Sequence, residues 1–146
     1  MEFTLEITKT PKREDVNKIS QSVREHNLNF MVDDFCELAV FEKDSTGNII
    51  AGLVATTYWE RLDVKYLWVS PECRGVGLSK KLFAAAESEA VNRGCLFSQV
   101  DTFDFQALGL YLKLGYCIFG ELNGYANEHK RFYLHKKLTD EKIRNI

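Results

Sequence analysis

Apolar residues recur along the chain with two periods. Phe3, Leu5 and Ile7 alternate with polar residues, the pattern of a half-buried strand. Thr10-Pro11 supplies a helix cap followed by proline at the first helical position, and Val16, Ile19 and Val23 then recur at helical spacing. That helix is expected to fade near His26-Asn27. Residues 28–35 read either as a short second helix or as a loop.

Cys36 to Glu42 and Ile49 to Tyr58 read as strands flanking the turn Asp44-Ser45-Thr46-Gly47-Asn48. Val64 to Val69 reads as a third, ended by Ser70-Pro71. From Ser79 to Arg93 the pattern turns helical, with Leu82, Phe83, Ala86 and Ala90 on one stripe and Gly94 as the stop. Leu96 to Thr102 is the next expected strand. Gln106 to Leu114 is the next helix, with Ala107, Leu110, Tyr111 and Leu114 on one face and Gly115 after it. Two closing strands, about Tyr116 to Leu122 and Arg131 to Leu138, flank a polar loop. The order β-α-(α)-β-β-β-α-β-α-β-β predicts an α/β (α+β) fold. Its sheet would be mixed, with helices on both faces.

Bulk properties add limits rather than detail. The 146 residues suit a single domain spanning 1–146, and 45% hydrophobic with 27% charged residues is ordinary for a globular chain. A formal net charge of -2 gives no basic field for nucleic acid. The start of the chain alternates instead of forming an apolar leader, and no stretch nears the roughly 18 apolar residues of a membrane span. A cytoplasmic protein with no membrane or nucleic-acid partner is expected. Cys36, Cys73, Cys95 and Cys117 are too widely spaced for a zinc pattern and read as separate free thiols. His26, His129 and His135 have no ligand spacing, so no metal is expected.

The chemistry concentrates in Leu67-Trp68-Val69-Ser70-Pro71-Glu72-Cys73-Arg74-Gly75-Val76-Gly77-Leu78-Ser79-Lys80-Lys81. A strand runs into a glycine-containing turn that opens a helix. Backbone N–H groups at a helix start lack intrahelical acceptors, and the helix dipole is positive there, so the segment suits an anion. Gly75 and Gly77 clear side chains from the approach, and Ser79 is placed to cap the helix. The pattern G-x-x-x-x-G-K-[ST] fails here, and so does G-x-G-x-x-G, whose third glycine would fall on Lys80. Lys80 and Lys81 oppose the helix dipole, a cost that a bound polyphosphate would relieve.

Arg74-Gly75-Val76-Gly77-Leu78-Ser79 resembles the Arg-x-x-Gly-x-Gly/Ala signature of the GNAT family of N-acetyltransferases, with Ser79 in place of the usual small apolar residue. Downstream, Asp104-Phe105-Gln106-Ala107 and Tyr111-Leu112-Lys113-Leu114-Gly115-Tyr116 are similar to the family's Asn-x-x-Ala and Tyr-x-x-x-Gly-Phe. Asp104 replaces the asparagine, and a carboxylate cannot donate as an amide does. The resemblance extends over the element order from Phe3 to Leu138. It implies a bacterial-type, single-domain member with a mostly antiparallel central sheet of six to seven strands.

The resemblance also implies a chemistry: an acyltransferase that moves an acetyl group from acetyl-CoA to a primary amine by direct attack on the thioester. Residues Leu67, Trp68, Val69, Arg74, Gly75, Val76, Gly77, Leu78, Ser79 and Asp104 would bind the cofactor. A backbone N–H of the strand ending Leu67-Trp68-Val69 would hold the oxyanion. Tyr111 would serve as the acid at the sulfur. The position where some members carry a glutamate base is Tyr66, so Glu60, Asp63, Asp101, Asp104 and a water chain all stay open. The acceptor side would be bordered by Asn27, Phe30, Asp33, Asp34, Tyr58, Trp59 and the loop Asn123 to Lys130. The short chain favours a small-molecule amine. A protein acetyltransferase or a non-catalytic acyl-CoA sensor are the other readings. Homodimers occur among such proteins, and the final hairpin offers an edge strand that could pair.

Overall fold

A computed structural model describes residues 1–140. The chain forms two compact units, Met1–Asp33 and the remainder from Asp34 onward. The first holds helix α1 (Arg13–Asn27). Its N-cap is Lys12, two residues beyond the expected cap at Thr10, and no side chain caps it. Glu14 and Asp15 in the first turn and Arg24 and His26 in the last suit the helix dipole. Phe3, Leu5 and Ile7 do not form the expected strand; they are exposed and pair with nothing in a sheet. Alternation makes a strand only where a neighbouring edge takes up its N–H and C=O groups. Residues 28–35 form a turn and an extended segment, not a second helix.

The second unit carries strands β1 (Cys36–Lys43), β2 (Ile49–Tyr58) and β3 (Arg61–Val69), then helix α2 (Leu78–Asn92). Strand β4 (Phe97–Phe103), helix α3 (Leu108–Lys113), and strands β5 (Cys117–Tyr125) and β6 (His129–Lys137) complete it. The six strands form one sheet in the order β1-β2-β3-β4-β6-β5. Every neighbouring pair is antiparallel except β3 and β4, which the α2 crossover makes parallel.

Two boundaries differ from the sequence pattern for physical reasons. β3 begins at Arg61, three residues earlier than expected, because Trp59 and Glu60 turn the hairpin with φ of 47° and 68°. Left-handed backbone at two non-glycine residues costs roughly 1–2 kcal/mol each. The Asp34 carboxylate offsets part of this by accepting the Trp59 N–H at 3.1 Å. Phe35 stacks on Tyr58 at 4.4 Å, and Trp59 packs edge-on to both rings. The expected polar loop from Asn123 to Lys130 is mostly strand, closed by a short turn at Ala126–Glu128.

The core lies between the sheet and α2 with α3. Leu82, Phe83, Ala86 and Ala90 of α2 meet Ala51, Leu53 and Ala55 of β2 and Leu62 and Val64 of β3. Tyr111 of α3 and Tyr116 pack edge-on to Phe83. Buried Ser98 and Tyr116 and half-buried Glu87 and Lys136 link β4, α2 and β6: Tyr116 bonds Ser98 at 2.7 Å and donates to Glu87 at 2.8 Å, and Lys136 pairs with Glu87. Among the described residues no helix is long and apolar enough to cross a membrane. All four cysteines are free.

Candidate active site

A split in the sheet creates the site. β3 and β4 pair only from Arg61 with Phe97 to Asp63 with Gln99. Beyond that point β3 carries a bulge at Lys65, since Val54 pairs with Tyr66 but Ala55 with Val64. A bulge bends its strand. β4 meanwhile stays with β6 as far as Phe103 and Arg131. The two parallel strands therefore part at their C-terminal ends, where ligands of open α/β sheets bind. A cavity of about 1080 Å³ occupies the gap. Small-molecule pockets run roughly 300–1000 Å³, so this one stands at the large end of that range.

Strand alternation decides what faces the gap. The Ser70 N–H donates to Ile50 O at 2.8 Å, toward β2. The N–H groups of Trp68 and Tyr66 then also point to β2, while those of Leu67 and Val69 point into the gap. Arg74 supports this geometry, because its Nε donates to the Val69 carbonyl at 3.0 Å.

The turn after β3 opens α2 at the same end. Gly75 and Gly77 have φ of 82° and 84°, which favours glycine, and a Cβ at either would project into open space. Gly77 occupies the N-cap position of α2 without a side-chain cap. Ser79 is thus the helix's second residue and not its cap, contrary to the sequence expectation. The N–H groups of the first turn have no intrahelical acceptor, and Arg74, Gly75, Gly77, Leu78, Ser79 and Lys80 line the cavity. Val76 points elsewhere and is exposed. Lys81 is held by Glu42 at 2.9 Å, so only Lys80 of the lysine pair borders the cavity.

Across the gap, Tyr111 lines the cavity from α3. Burial, and then the nearby Asp101 charge, push its phenol up to about 12. Gln106 and Phe105, which sequence reading left unused, also line it. The Gln106 carbonyl accepts the Phe103 N–H at 2.8 Å, which fixes the turn and leaves its amide NH₂ as a donor. Asp104 stands apart. Its carboxylate accepts the Lys130 N–H at 2.9 Å and bonds His129 Nδ1 at 2.8 Å, and it does not line the cavity. The Lys130 bond, with His129 second to it, holds Asp104 below its ordinary carboxyl value.

Of the carboxylates considered as bases, Asp63 and Asp101 reach the cavity, and Glu60 and Asp104 do not. Asp63 is paired with Lys65 at 3.2 Å and accepts the Tyr58 hydroxyl at 3.3 Å. Asp101 accepts Arg131 Nε at 2.7 Å. Tyr66 is 73% exposed and lines the same wall. Asp34, Tyr58 and Trp59 are engaged in the β2–β3 turn and are not cavity-lining. Among the described residues no group of three His, Cys, Asp or Glu is placed to hold a metal.

Comparison with known proteins gives this geometry a context. A profile of the acetyltransferase (GNAT) family matches residues 1–116. A blasticidin-S acetyltransferase from Streptomyces morookaense is 40% identical over 88 residues, 60% of this chain and 65% of its own length. The match thus spans just under two thirds of that relative. An acetyltransferase from Agrobacterium fabrum is 32% identical over 108 residues, 74% of this chain and 79% of its own. A crystal structure from Agrobacterium tumefaciens, assigned as an acetyltransferase, superposes with a TM-score of 0.85 at 29% identity. It covers 94% of this chain and 99% of that one.

Proposed function

The chain belongs to the acetyltransferase (GNAT) family, and from that premise we propose that it transfers an acetyl group from acetyl-CoA to the primary amine of a small molecule. The observation that carries this reading is the parting of β3 from β4 with the glycine turn at its open end. The pyrophosphate is assigned to the free N–H groups from Gly75 to Ser79, with Arg74 and Lys80 supplying positive charge. Gly75 and Gly77 fit this role because no atom lies where their side chains would be. Val76 takes part through its backbone. Asp104 acts at a distance, by tying the β4–α3 turn to the β5–β6 end.

The thioester is assigned to the gap between β3 and Tyr111. There the N–H groups of Leu67 and Val69 face the carbonyl oxygen that becomes negative on attack, and Trp68 contributes the side chain between them. The acceptor must arrive as a neutral amine. A lysine-like amine with a pKa near ~10.4 needs about 4–5 kcal/mol to lose its proton at pH 7. Asp63 and Asp101 border the cavity and can take that proton through water.

Tyr111 donates to the departing sulfur. Its phenol, at about 12, lies well above a thiol near ~8.5, so complete proton transfer would cost about 5 kcal/mol. Its role is therefore a hydrogen bond to the developing thiolate, and the amine's own proton balances the reaction.

The relative at 40% identity is named for acetylating blasticidin-S, an antibiotic and not a protein, which supports a small-molecule acceptor. Calorimetry with acetyl-CoA, followed by an amine screen reading CoA thiol release, tests the proposal. Binding and thiol release with a small amine are expected. Absence of acetyl-CoA binding would overturn it.

A further inference from the structure

Both strands that part also present their outward faces, away from α2 and α3, to the cavity. On β4, Ser98, Val100 and Thr102 are buried toward the helices, so Asp101 and Phe103 face the other way. On β3, Leu67 and Val69 pack on the core, so Tyr66 and Trp68 face outward. The donor's anion turn lies at the start of α2, on the helix side. The outward side is left for the acceptor.

That side has two aromatic walls. Tyr66 and Trp68 form one, and Trp68 is 51% exposed. Phe103 and Phe105 form the other, stacked at 5.4 Å and 13°, with Phe105 63% exposed. Tyr125 packs edge-on behind Phe103 at 4.8 Å, and His129 edge-on to Phe105 at 4.9 Å, so this wall is braced. Single exposed apolar residues are ordinary, but several large rings around one concave site mark a binding surface.

The charges on this side cancel in pairs. Asp63 is matched by Lys65 and Asp101 by Arg131. A polyamine is recognised by carboxylates left free along its length, and it would have to break both pairs. A flat ring needs neither. The Arg131 guanidinium already lies over Phe103 at 5.5 Å, so the wall accepts planar groups.

Building on the acetyltransferase reading above, we infer that the acceptor is a primary amine carried on a flat aromatic or heteroaromatic group, seated between Tyr66 and Phe105. The test compares tryptamine with cadaverine and spermidine in thiol-release kinetics, with acetyl-CoA binding measured separately by calorimetry. Tryptamine is expected to exceed both aliphatic amines in kcat/KM by about tenfold or more. Tyr66→Leu and Phe105→Leu should each raise the KM for tryptamine about three- to tenfold and leave acetyl-CoA affinity unchanged. Cadaverine or spermidine matching tryptamine would overturn the inference, as would a KM indifferent to both variants. Acetyl-CoA binding without turnover of any amine would also overturn it while leaving the donor site intact. Failure to bind acetyl-CoA would remove the acetyltransferase reading itself.

Discussion

Arg74 turns back on the strand that precedes it, its Nε donating to the Val69 carbonyl at 3.0 Å. The contact takes up the carbonyl that would otherwise face the cavity unpaired. It also fixes the first residue of the glycine turn against the end of β3. One side chain thus sets the spacing between the proposed anion site and the proposed oxyanion donors.

Arg74→Ala should therefore weaken acetyl-CoA binding by about tenfold or more, the range for losing a charge-assisted hydrogen bond of 1.5–3 kcal/mol. Arg74→Lys should not restore it, because an ammonium cannot reproduce the Nε geometry. Calorimetry checks both. Wild-type affinity in the alanine variant would exclude Arg74 from the site.

Gly77 adopts φ of 84° with no atom near the position a Cβ would take. Gly77→Ala should cost roughly 1–2 kcal/mol through the backbone alone. Gly77→Asn should cost less, since asparagine tolerates the left-handed region. Urea denaturation of the two variants separates backbone strain from steric conflict, which would penalise asparagine more.

Tyr111→Phe is expected to lower kcat by about tenfold or more with little change in acetyl-CoA affinity. The wild-type pH profile follows from the raised phenol. Burial and Asp101 move it from 10.0 to about 12, so the folded state holds the proton more tightly than the unfolded. The protonated form is fully present below pH 10.0 and is lost only as pH rises through about 12. The rate should then climb with pH as the amine loses its proton, with no falling limb from Tyr111 below pH 10.0. A falling limb near neutrality that disappears in Tyr111→Phe would contradict this.

Tyr116 carries a structural load that its motif position hides. Its hydroxyl bonds Ser98 and Glu87 in the core. Tyr116→Phe should destabilise the fold by about 1–3 kcal/mol, because buried Ser98 and half-buried Glu87 both lose a partner. Ser98→Ala added to it should recover part of the loss. Thermal melts of the single and double variants measure this coupling.

Several parts of the fold were legible in the chain because their signals are local. The α2 stripe from Leu82 to Ala90 and the stops at Gly94 and Gly115 follow from helical period and left-handed backbone, with φ of 90° and 93° at the two glycines. The Trp59-Glu60 turn was not legible, since neither residue favours positive φ and its support comes from Asp34, a distant residue. Phe3, Leu5 and Ile7 misled for the converse reason. Their alternation is real, but pairing is not a property of one segment.

The sequence by itself determined the glycine turn proposed to hold the anion, because a glycine pair between a strand and a helix needs only its own backbone to expose N–H groups. It also offered Tyr111 as a candidate, through the resemblance of the segment from Tyr111 to Tyr116 to the family's Tyr-x-x-x-Gly-Phe. Only the tertiary structure decided that the N–H groups of Leu67 and Val69, and not that of Trp68, face the cavity, since that depends on which neighbour β3 keeps and which it leaves. It likewise turned the Asp104 carboxylate toward Lys130 and His129, and brought Tyr66 and Phe105 to the lining of one cavity. Residues 39 positions apart in the chain border the same cavity because two parallel strands diverge after a bulge, a relation no local pattern encodes.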